Sequence, residues 1–100
     1  MKPYTKQTLS KLINYIDLYL ESKITLRELV EHLEHSINAL EERLAESFYP
    51  NWNEYWGNLE IELAVSSYKK EDYSHERTVE NATLLIEHIQ SLLNDVAIRD

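Results

Sequence analysis

The hundred residues contain no cysteine, one glycine and two prolines. Without cysteine there is no disulfide framework, no thiolate metal site and no cysteine nucleophile. So little glycine and proline leaves scant material for the tight turns of β-hairpins. Basic residues are also few: ten Lys and Arg stand against eighteen Asp and Glu, a net charge of −8. That balance opposes binding to nucleic-acid phosphates or anionic lipid, and it suits either plain solubility or a basic partner. No run approaches the eighteen apolar residues that would span a bilayer. The opening "MKPYTKQTLSKLINYI" lacks the apolar core and cleavage site of a signal peptide. A cytoplasmic protein is therefore expected, and "NAT" at Asn81 is a chance match to the glycosylation pattern.

What is present is helical periodicity. The chain reads as one domain over 1–100, with helices at about 5–21, 26–46, 52–70 and 75–96. In the first, Leu9, Leu12, Ile13, Ile16 and Leu20 share one face. The second starts at "ITLREL", where Thr25 and Glu28 form a capping box and Ile24 can staple onto Leu29. Its stripe of Leu26, Leu29, Val30, Leu33 and Ile37 is continued by Leu40 and Leu44. Pro50 stops that helix, and Asn51 with Glu54 supplies a second capping box for the third. The third turns Trp52, Tyr55, Trp56, Leu59 and Leu63 inward, with Gly57 expected to relieve a close contact. Asp72 or Ser74 caps the fourth, whose seam is Val79, Ala82, Ile86, Ile89, Leu93 and Val96, widened by Leu85 and Leu92. Four amphipathic helices joined by short loops predict an all-α fold, an antiparallel four-helix bundle running up-down-up-down.

Chemistry is harder to find. His32 and His35 lie near Glu28 and Glu31, but off the apolar stripe, as in a solvated face. His75 and His88 stand alone. There is no Gly-rich phosphate loop, no H-E-x-x-H, no G-x-S-x-G and no Glu-x-x-His pair. No catalytic residue, metal or cofactor is expected. Two features point instead to contacts. "ESFYPNWNEYWGNLE" gathers Phe48, Tyr49, Trp52, Tyr55 and Trp56, which either plug the bundle's end or anchor a partner. Ile61, Ala64, Val65 and Tyr68 form a second stripe opposite the third helix's core line, as Leu18 does on the first helix with Tyr15 and Tyr19 flanking.

"LYLESKITLRELVEHLE", from Leu18 to Glu34, resembles the small helical immunity proteins of the colicin D type. The likeness rests on Ser22, Lys23, Ile24 and Thr25 followed by an apolar-acidic helix, and covers about a third of the chain. "FYPNWNEYWGNLEIELAVSS" is similar to the third helix of such proteins. The resemblance implies a non-enzymatic protein that fills the basic cleft of a cognate RNase toxin with an acidic surface. On that reading Tyr49, Trp52 and Tyr55 are partly exposed anchors, and Glu46, Glu54, Glu60 and Glu62 surround them. The alternative is a self-associating structural or adaptor protein, a homodimer in its simplest form, that pairs through Ile61, Val65 and Tyr68. Neither reading involves nucleic acid or membrane binding.

Overall fold

The computed structural model describes residues 1–99 and contains α1 (Pro3–Leu20), α2 (Leu26–Asn38), α3 (Phe48–Tyr68) and α4 (His75–Arg99). A single 3-10 turn, Lys70–Asp72, precedes α4. α1 packs on α2 and α4, and α3 packs on the same two helices. The four helices form an antiparallel up-down-up-down bundle with α1 and α3 on its diagonal. The molecule measures 47 × 25 × 21 Å, its long axis set by α4, whose 25 residues span about 37 Å. Leu9, Leu12 and Ile16 meet Leu29, Leu33, Trp52, Leu59, Ala82, Leu85 and Ile89 in one core.

The α1–α2 turn follows from local chemistry. The Lys23 N–H donates to the Leu18 carbonyl at 2.8 Å and the Ser22 N–H to that of Tyr19 at 2.9 Å. Those are the two bonds of a Schellman motif, with Ser22 in the left-handed region at φ 62°. Three residues on, the expected capping box is complete. Thr25 accepts from the Glu28 N–H, and the Glu28 carboxylate accepts from the Thr25 N–H.

Two boundaries differ from the sequence reading. α2 ends at Asn38, and 39–47 is an irregular link. Leu40 and Leu44 continue the helical spacing, yet Leu44 reaches the core from the link and its N–H is satisfied by the Tyr49 hydroxyl. α3 begins at Phe48, so Pro50 lies inside its first turn instead of before it. There its missing N–H costs nothing, because first-turn N–H groups have no helical partner. The expected cap at Asn51 is not used, and Ser47 takes the N-cap position without a side-chain bond. On α1 the expected outer stripe shrinks: Tyr19 is buried, Leu18 and Tyr15 are half-buried, and Tyr15 stacks on His32 at 4.3 Å.

Gly57 does not relieve a close contact. A Cβ built there meets nothing within 4 Å. Gly57→Ala should therefore stabilise the fold by about 0.5–1 kcal/mol, the helix-interior cost of glycine. A thermal melt that moves down instead would show that the small residue is needed within the monomer.

Candidate partner-binding surface

The sequence-predicted contact residues do not form one patch. Trp52 is only 2% exposed, with its ring 5.7 Å from Phe48, so it is core and not an exposed anchor. The reason is its helical phase, which it shares with Leu59. Tyr55 is half-buried and turned toward α4, edge-on to His88 at 6.1 Å. Tyr49 is half-buried on the other side, facing the link. Trp56, expected in the core, is half-buried and donates its indole N–H to the Val30 carbonyl at 3.3 Å, tying α3 to α2.

Glu62 also leaves the proposed acidic surround. It is 6% exposed and works as an internal group. One carboxylate oxygen accepts from Arg77 Nε at 2.8 Å, the other from the Ser74 N–H at 3.1 Å. Ser74 is the α4 cap, since its hydroxyl accepts from the Arg77 N–H. In a capping box the residue three positions on would supply the returning carboxylate, but here that residue is Arg77. Glu62 supplies it from α3. Burial pushes its carboxyl up, while Arg77 and the Ser74 N–H outweigh that and hold it below the usual carboxylate range.

Glu46, Glu54 and Glu60 are exposed. Glu46 takes both bonds of the Arg43 guanidinium, at 2.8 and 3.3 Å, and that bond keeps its carboxyl below the usual range. The same guanidinium lies 4.6 Å from the centre of the Tyr49 ring. Glu54 and Glu60 flank the outer stripe of α3 on either side, at 100° per residue.

What the structure does assemble is a groove between α2 and α3 at the link end. Its walls carry Glu34, Ile37, Asn38, Tyr49, Asn53 and Trp56, with Trp52 as the floor and Glu41, Glu42 and Arg43 at the mouth. Glu42 is held from behind: the Lys2 N–H donates to it at 2.9 Å, which together with the Thr5 hydroxyl lowers its carboxyl. Sequence reasoning missed Glu34, Glu41 and Glu42 as groove residues because the last two were placed on a longer helix. It also missed His88, whose ring stacks on Phe48 at 4.5 Å with Nε2 2.7 Å from the Phe48 carbonyl. A carbonyl only accepts, so Nε2 carries the proton.

Charge is segregated by helix. α3 exposes Glu54 and Glu60 and has no Lys or Arg, whereas the start of the chain through α1 carries Lys2, Lys6 and Lys11 against Asp17. Because α1 and α3 are diagonal, the molecule has an acidic side and a basic edge. Among the described residues, no three of His, Asp and Glu gather where they could hold a metal, and no helix is long and apolar enough to cross a membrane. Comparisons with protein-family models, curated proteins and solved structures return no match.

Proposed function

We propose that this chain is a non-catalytic protein-binding module that neutralises a basic nuclease, in the manner of the helical immunity proteins its first third resembles. One observation carries the reading. The α2–α3 groove runs from Tyr49 beside Glu41 and Glu42 to Trp56 beside Glu34, along a helix that has no basic residue. A nuclease cleft is built to hold phosphates, and carboxylates held on a helix and the link that follows it can take the phosphate positions. The net charge of −8 would steer a cationic partner and make its on-rate salt-sensitive. The aromatic walls supply apolar area to hold it after encounter.

The test is a basic nuclease domain encoded beside this gene, mixed with the purified chain. An equimolar amount should abolish RNA cleavage. Reversing two exposed charges of the groove, Glu34→Lys with Glu41→Lys, should slow association by roughly an order of magnitude at low salt, the scale of electrostatic steering. Undiminished cleavage at saturating wild-type chain would sink the reading. A two-fold homodimer through paired α3 stripes is less well supported. It would set Glu54 and Glu60 of one copy against the same carboxylates of the other, and like charges placed face to face oppose association.

A further inference from the structure

Among the described residues, the large apolar side chains most exposed are three: Ile61 at 60%, Tyr68 at 71% and Tyr4 at 64%. They divide between opposite sides of the bundle. Ile61 and Tyr68 lie on the outer stripe of α3 with Gly57 and Ala64, while Val65 is half-buried and falls outside it. Glu54 and Glu60 rim that stripe, and the nearest bases on the helix's own strand of chain are Lys69 and Lys70 beyond its end. Tyr4 lies in a groove of about 330 Å³ between α1 and α2, lined by Thr8, Lys11, Tyr15, His35 and Ser36. No carboxylate lines that groove.

We propose that the α3 stripe of one copy docks into the α1–α2 groove of another. The match is one of shape, length and charge. A convex ridge meets a concave groove, as helix packing requires. From Gly57 to Tyr68 and from Tyr4 to Tyr15 the distance is the same eleven residues, about 17 Å along a helix axis. The absent Cβ at Gly57, unexplained inside the monomer, lets the facing helices approach more closely. Glu60 and Glu54 of one copy meet Lys11 and His35 of the other. Since ridge and groove are different surfaces, the contact is heterologous, and it adds copies head to tail until a ring closes. The net charge of −8 per copy opposes this at long range, so assembly belongs to concentrated protein and is helped by moderate salt that screens the repulsion. The contact uses faces other than the α2–α3 groove and does not depend on the nuclease reading.

Sedimentation from micromolar to millimolar concentration tests it. The wild type should grow past dimers as concentration rises. Lys11→Glu and Glu60→Lys, both exposed substitutions, should each weaken assembly by at least about tenfold while leaving the helical circular dichroism unchanged. Mixed in equal amounts, the two variants should assemble past dimers again, because each reversed charge on one variant faces the opposite reversed charge on the other. A mixture that stays as weakly assembled as either variant alone would overturn the pairing of these two residues. A wild type that stays monomeric throughout overturns the proposal. So does a Lys11→Glu variant that assembles like the wild type, because the contact would then pair α3 with α3.

Discussion

Trp52→Ala is expected to cost about 3–5 kcal/mol, the range for truncating a large buried aromatic. Domains of this kind have about 5–15 kcal/mol in total, so the variant should be largely unfolded on mild heating. The size follows from position. Trp52 is buried beneath the α2–α3 groove, stacked on Phe48, which is stacked in turn on His88. Removing the indole opens a void in the core that its neighbours cannot fill without moving. Urea unfolding measures it directly. A midpoint close to that of the wild type would mean that the aromatic layer is less tightly packed than the geometry indicates.

Glu62→Ala should cost about 2–3 kcal/mol, because two hydrogen bonds to a charged group are lost together. Arg77 keeps its bond to the Asp72 carbonyl and remains largely in water. The damage therefore falls on the Ser74 N–H and on the seating of α4. The pH dependence has a definite sign. The folded carboxyl lies below its unfolded value of about 4.3. Its contribution is thus complete above that value and is lost as the pH falls through the folded one. Melting temperatures between neutral and acidic pH should fall less steeply in Glu62→Gln than in the wild type. Parallel curves would show that other carboxylates carry the acid sensitivity.

Periodicity made most of the bundle legible, because the spacing of Leu9, Leu12 and Ile16 or of Leu85 and Ile89 puts them on one face of a helix. It failed at Leu40 and Leu44 for a physical reason. Apolar spacing reports which residues seek the core, and an irregular segment can deliver the same side chains as a helix. Pro50 misled in a similar way, since it is compatible both with ending one helix and with opening the next. The surface was less legible than the core. Glu62 reads as one more acid until Arg77, fifteen positions on, is folded against it. Glu41 and Glu42 become groove residues only once the link leaves the helix. The outer stripe of α3 was visible from sequence because it repeats along a single helix, whereas its complement on α1 and α2 depends on how two helices meet.

The turn at Ser22–Thr25 has a consequence for how quickly the chain finds this arrangement. One helix stop and one helix start are written into neighbouring residues, and all their hydrogen bonds close over five positions or fewer. Forming them requires almost no loop closure, so α1 and α2 can pair as a hairpin within the early collapse of the chain. The link at 39–47 offers no such instruction. Its place is set in part by a distant group, since Glu42 accepts from the Lys2 N–H forty positions away, at the start of α1. The link, and with it the seating of α3 and α4 on the first two helices, is therefore expected to form after the α1–α2 hairpin. A ribosome would release the two halves in that same order.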